Sequence, residues 1–93
     1  MTDGKETILD KIMVEIYVPI IGKAYDVYLP PELMVVEVAE RVRNAIFRLN
    51  PEEEYRLEGA SFAMLCRRDN GAKLRAKQSV RECMENGTKL LLF

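Results

Sequence analysis

Two runs of alternating residues near the N-terminus constrain the fold more than any other feature of this sequence. In Ile12–Val18 and again in Ala24–Leu29, apolar residues recur at every second position, which is the period of a half-buried strand. Pro19 cannot donate a ladder hydrogen bond, and Gly22 lies in the short connection between the two runs. The pattern therefore predicts a β-hairpin with one buried face.

One long amphipathic helix is predicted after the hairpin. Pro30-Pro31 ends the second strand, and Met34–Leu49 brings its apolar residues to a common helical face. Asn50-Pro51 ends the helix, and residues 52–62 are predicted to be a loop. The apolar face comprises Val35, Val38, Ala39, Val42, Ala45, Ile46 and Leu49.

The last third of the chain predicts short elements separated by turns. Ala63–Arg67 and Ala72–Arg75 are expected to be strands, joined through the turn Asp69-Asn70-Gly71. Ser79–Glu85 is expected to be one helical turn, and Lys89–Phe93 the final strand. We expect the first and last strands to be central, parallel neighbours, because both are short and rich in apolar residues.

These elements predict one small α+β domain of 93 residues. Residues 1–11 show no sustained period and are predicted to be a mobile leader. Residues 12–93 are predicted to form a mixed sheet of four to five strands packed on one main α-helix. Because the sequence has neither an 18-residue apolar stretch nor a secretory signal pattern, we expect a cytoplasmic protein with no membrane insertion.

The residue types that most enzymes and metal sites use are scarce. The chain has no histidine and only two cysteines, Cys66 and Cys83. The usual general base and a four-ligand zinc site are therefore missing, and we expect no enzymatic activity, no metal and no cofactor. Both cysteines are typical of small buried apolar residues. The reactivity of Cys66, which precedes Arg67 and Arg68, is left open.

Basic residues are concentrated in one segment, residues 67–81, although the net charge is only −1. This segment has Asp69 as its single acidic residue. Such a density can attract a nucleic acid or an acidic ligand. A solvated hairpin is the favoured interpretation, because no aromatic residue is interspersed as in single-strand binders. Its basic residues are Arg67, Arg68, Lys73, Arg75, Lys77 and Arg81.

The order of elements and several spaced residues together resemble one superfamily. They are the hairpin, Val35-x-x-Val38-x-x-x-Val42 in the helix, Leu74, Ser79-Val80 and Leu90-x-Leu92. Over residues 12–93 they resemble the ubiquitin β-grasp. Val27-Tyr28-Leu29-Pro30 and the ending Leu90-Leu91-Leu92-Phe93 are most similar to the YukD/EsaB family. The resemblance implies a protein-binding accessory or regulatory component of a bacterial type VII (ESX/Ess-like) secretion system, with secretion-machinery subunits as partners.

The resemblance also implies what the C-terminus and the sheet do. Ubiquitin is activated at a Gly-Gly tail, whereas this sequence ends at Phe93, so conjugation and sulfur transfer are not expected. The recognition patch should lie on the outer sheet face and contain Cys66 or Arg67 of the third strand. Its apolar residues Leu91 and Phe93 should be flanked by Arg67 and Arg68. Arginine and aromatic residues are enriched at protein interfaces. Alternatively, Phe93 folds over the edge of the core.

A second candidate surface lies on the helix. Val36 and Phe47 share a stripe that points away from the apolar face, with Glu40 and Arg43 between them. Either the loop at residues 52–62 covers the stripe, or the stripe forms a partner or homodimer face.

Overall fold

A four-stranded mixed sheet and one long helix form the described part of the chain, which is residues 11–62 and 64–93 of a computed structural model. The predicted leader, except Lys11, lies outside the described residues. The elements are β1 (Ile12–Val18), β2 (Lys23–Leu29), α1 (Val35–Leu49), a 3₁₀ turn (Pro51–Glu53), α2 (Glu54–Leu57), β3 (Leu65–Arg67), α3 (Val80–Cys83) and β4 (Thr88–Leu92).

The sheet has the strand order β2-β1-β4-β3. β1 pairs antiparallel with β2 and parallel with β4, and β3 pairs antiparallel with β4. The predicted hairpin and the predicted central, parallel pair of first and last strands are both confirmed. The α+β architecture, with four strands and one main helix in the described part, is also confirmed.

The core lies between one face of the sheet and α1. Five inward residues of the two central strands are completely buried, and so is Val38 of α1. Leu49, which the helical pattern also predicts to be buried, is 60% exposed. Asn50, the next residue, takes the buried position at this end of the helix instead. The buried strand residues are Val14, Ile16, Val18, Leu90 and Leu92.

Both ends of α1 are held by contacts with other parts of the chain. At its N-terminus, the N–H groups of Val35 and Val36 donate to the carbonyls of Gln78 (2.8 Å) and Ala76 (3.0 Å). These bonds satisfy backbone N–H groups in the first turn of α1, because the N-cap residue accepts no hydrogen bond through its side chain. The segment before α3 is therefore fixed against the start of α1.

At its C-terminus, the buried amide of Asn50 joins α1 to β2. Its Nδ2 donates to the hydroxyl of Tyr25 (2.7 Å) and to the carbonyl of Ile46 (2.9 Å). Its Oδ1 accepts a hydrogen bond from Nζ of Lys23 at 2.6 Å. Asn50 is 1% exposed, and these partners satisfy its polar atoms in place of water.

Two predicted elements differ from the structure. The expected loop at residues 52–62 begins with the 3₁₀ turn and α2, which bury Leu57 completely. Leu57 is the only buried residue of α2, and one buried position gives no helical periodicity, so the sequence pattern could not reveal this helix. The expected strand Ala72–Arg75 is reduced to one bridge, between Lys73 and Cys66.

Candidate protein-docking surfaces

The outer face of the sheet, opposite α1, carries a mixed apolar and charged surface. Residues that pair across strands share a face, and Leu91 of β4 pairs with Tyr17 of β1 and Cys66 of β3. Tyr17 and Leu91 are half-buried, whereas Cys66 is 6% exposed. An apolar row therefore crosses three strands on this face.

Arg68 extends over this row. Its Nη1 donates to Oε1 of Glu15 at 3.0 Å, and its guanidinium carbon lies 5.4 Å from the centre of the Tyr17 ring. Both partners point away from the core, because they alternate along β1 with fully buried residues. Arg68 and Leu91, two of the predicted patch residues, are therefore brought to one face. We call Tyr17, Cys66, Arg68 and Leu91 the outer-face patch.

Phe93 lies just beyond β4 and is 45% exposed. Its N–H donates to the carbonyl of Met64 at 2.9 Å, so the pairing with the segment before β3 continues past the strand. Its side chain borders a small cavity of about 230 Å³ together with Ile20, Phe62 and Leu92. Phe93 therefore lies at the end of the sheet and borders a cavity that the buried residues Phe62 and Leu92 also line.

Arg67 does not flank this patch. It pairs in register with the fully buried Leu90, so its side chain lies on the α1 side of the sheet. There it forms a two-pronged ion pair with Asp69, with Nε–Oδ1 and Nη2–Oδ2 distances of 3.2 Å. The expectation that Arg67 and Arg68 flank one patch is wrong, because consecutive strand residues point to opposite faces.

The Arg67–Asp69 pair changes the titration of both groups. A hydrogen bond from Arg67 lowers the pKa of Asp69 below its ordinary value, and Asp69 raises the pKa of Arg67. Likewise, the 2.7 Å bond from Arg81 lowers the pKa of Glu32. Together with Arg68, which binds Glu15, three of the six predicted basic residues therefore have anionic partners within the chain.

The second predicted surface divides into two environments. Phe47 is half-buried and packs edge-on against Phe62, with ring centroids 6.3 Å apart. The guanidinium carbon of Arg43 lies over the Phe47 ring, 4.9 Å from its centroid. The segment that follows α2 thus covers Phe47, as one alternative predicted. Val36 is 54% exposed.

Val36 stands at the rim of a groove of about 710 Å³ beside α1. Lys73 and Arg75, two of the predicted basic residues, line the same groove. No pattern in the sequence predicts the floor of this groove, which includes Phe62. That residue is 3% exposed and has φ of 51°, in the left-handed region that non-glycine residues rarely adopt.

Neither cysteine has the environment of a reactive thiol. Cys66 is buried. Burial raises the pKa of the Cys83 thiol, and the nearby Glu82 carboxylate raises it further. The Cys83 Sγ also lies 3.3 Å from the carbonyl of Ser79, to which it donates. Within residues 11–62 and 64–93, no three His, Cys, Asp or Glu side chains converge as metal ligands.

Comparisons with known proteins agree on the fold. No protein-family model and no curated protein matches the sequence. The EccD5 ubiquitin-like domain from Mycobacterium xenopi is 18% identical, with a TM-score of 0.63 over 89% of this chain and 92% of that one. A chain of the MycP5-free ESX-5 inner membrane complex is 22% identical, with a TM-score of 0.68 over 90% of this chain.

These similarities establish a ubiquitin-like fold. The present chain spans only 21% of the matched chain in the ESX-5 complex. At sequence identities of 18% and 22%, the similarity shows a shared fold and no more. None of the helices in the described part of the chain is long and apolar enough to cross a membrane.

Proposed function

We propose that this chain is a non-enzymatic, ubiquitin-like protein-binding module. It acts as a cytoplasmic accessory or regulatory component of a bacterial type VII secretion system, and it docks on a secretion-machinery subunit through the outer-face patch. The ubiquitin-like fold supports this proposal, as do its similarities to an EccD5 domain and to a chain of an ESX-5 complex. The sequence resemblance to the YukD/EsaB family points in the same direction.

We choose the outer-face patch as the docking surface because Arg68 lies over Tyr17, beside Leu91. An apolar row with an arginine held at its margin has the composition of an interface centre with a polar rim. The arginine is positioned before any partner arrives, since Glu15 binds its guanidinium and Tyr17 lies beneath it. Less side-chain freedom is then lost on binding.

Nucleic-acid binding through residues 67–81 is less well supported. Arg67, Arg68 and Arg81 form ion pairs with Asp69, Glu15 and Glu32. Half of the basic residues in the segment are thereby engaged within the chain. The apolar row on the outer face also has no role in this alternative.

The test is affinity capture from cells that naturally express the chain, with bound proteins identified by mass spectrometry. Arg68→Glu combined with Leu91→Ser should abolish recovery of secretion-machinery subunits. Arg48→Glu with Leu49→Ser makes the same chemical changes at exposed positions on α1 and should leave recovery unchanged.

Salt separates the two functions in the same experiment. Phosphate contacts weaken steeply between about 50 and 200 mM salt, whereas an apolar-centred interface weakens little. Recovery of nucleic acid that disappears at the higher salt, without secretion subunits, would favour the alternative. Equal loss of subunits with both double variants would contradict the choice of surface.

A further inference from the structure

The groove beside α1 lies on the opposite side of the sheet from the outer-face patch. Its floor is apolar and recessed, because each floor residue is 8% exposed or less. α1 forms one wall, and the segment Lys73–Ala76 forms the other. The floor residues are Val35, Ala39, Phe62, Leu65 and Leu74.

The charge around this floor is mostly positive. Arg43, Lys73 and Arg75 line the groove, against Glu40 as the one acidic residue among its described lining residues. No ion pair engages these three basic side chains within residues 11–62 and 64–93. This contrasts with Arg67, which is neutralised by Asp69.

The positive charge comes from side chains rather than from the end of α1. The first-turn N–H groups of Val35 and Val36 are already bonded to the carbonyls of Gln78 and Ala76. An anionic ligand would therefore meet the basic side chains at the rim. An apolar group could reach the floor between them.

The shape of the groove selects the class of ligand. A flat membrane surface cannot reach a floor that lies below its rim, whereas an inserted side chain can. The floor also presents no polar side chain, and small-molecule sites normally have a few convergent polar groups that fix orientation. A peptide with apolar anchors and acidic neighbours matches both the floor and the rim.

We propose that this groove binds an acidic peptide segment of a partner protein, with one or two apolar side chains inserted beside α1. The occupied surface is distinct from the outer-face patch, so the two sites can be filled at the same time. The proposal does not depend on the secretion assignment.

The test uses a display library of random linear peptides, selected on the intact chain. Selected peptides should place Asp or Glu beside apolar residues. Lys73→Glu with Arg75→Glu should weaken their binding by about tenfold or more, because two attractions become repulsions. Val36→Asp should also weaken it. All three positions are exposed, so the fold should survive these changes, and circular dichroism verifies this.

Matched controls place the same changes outside the groove. Arg41→Glu with Arg48→Glu, and Leu49→Asp, lie at exposed positions of α1 that do not line it. These variants should bind the selected peptides as the wild type does, at equal ionic strength.

Several outcomes would overturn the proposal. They are recovery of no peptide, selection of neutral or basic peptides, or equal weakening by groove and control variants. Binding of phosphatidylglycerol vesicles that is lost in the Lys73→Glu/Arg75→Glu variant would assign the groove to a membrane instead. A dimer seen by analytical ultracentrifugation that Val36→Asp disrupts would assign it to a second copy of the chain.

Discussion

Replacement of Asn50 by alanine should destabilise the protein far more than its position at a helix end would suggest. The side chain makes three hydrogen bonds, to Tyr25, to the Ile46 carbonyl and from Lys23. At about 1 kcal/mol for each net hydrogen bond, their loss amounts to about 3 kcal/mol. The partners recover part of this, because Tyr25 and Lys23 are only half-buried and can bind water.

We therefore expect Asn50→Ala to lower the free energy of unfolding by about 2 kcal/mol. The Ile46 carbonyl limits the loss, since it still accepts the backbone N–H of residue 50 at 3.0 Å. For a domain of this size, the corresponding fall in melting temperature is about 8–16 °C. Urea unfolding followed by circular dichroism measures the change in free energy.

Two further variants make the result specific. Tyr25→Phe removes one hydrogen bond and should cost about 1 kcal/mol or less. In the Asn50→Ala background it should cost little, because its partner is already absent. Asn44→Ala is the control: this residue is exposed on α1, and alanine has the higher helix propensity. A loss of under about 0.5 kcal/mol for Asn50→Ala would refute the reasoning.

Three other predictions follow from buried and paired residues. Leu90→Ala at the centre of the sheet should cost about 2–5 kcal/mol in urea unfolding, and a loss of under about 1 kcal/mol would contradict its place in the core. NMR titration should give Asp69 a pKa below its ordinary value, restored by Arg67→Gln. The pair thus stabilises the fold above that ordinary pKa, and the contribution is lost as the pH falls through the lowered value; an unchanged pKa in Arg67→Gln would refute the pairing. Cys83 should react with iodoacetamide at pH 7 more slowly than a free cysteine peptide, because its thiol pKa is raised; an equal rate would show that the thiol is not shielded.

The fold could be predicted from the sequence where the patterns are periodic. Alternation in β1 and β2 and the apolar stripe of α1 each identify an element, because one face of each is buried. α2 could not be predicted, because only Leu57 in that short helix is buried. The hydrogen bonds from the N-terminus of α1 to the Ala76–Gln78 segment join distant parts of the chain. Local sequence patterns carry no information about such contacts.

The candidate sites could likewise be predicted only where a periodic pattern or the family resemblance placed their residues. Leu91 could be assigned to the outer face from strand alternation, and Arg68 from the β-grasp resemblance. Arg67 was assigned to the wrong face, because the predicted patch took both arginines without applying the period of two. The groove could not be predicted, since Phe62 and Leu74 reach its floor only through the folded arrangement of α1 and the last third of the chain.

Photo-crosslinking in living cells tests the outer-face patch most directly. Lys89 is exposed and lies in register with Glu15 on the outer face, so its replacement by p-benzoylphenylalanine places the probe beside the patch. We expect a crosslink to an identified secretion-machinery subunit, which Arg68→Glu with Leu91→Ser removes. The same probe at Arg48 on α1 should give no such crosslink. A crosslink to that subunit from position 48 alone, or none from position 89, would contradict docking through the outer-face patch.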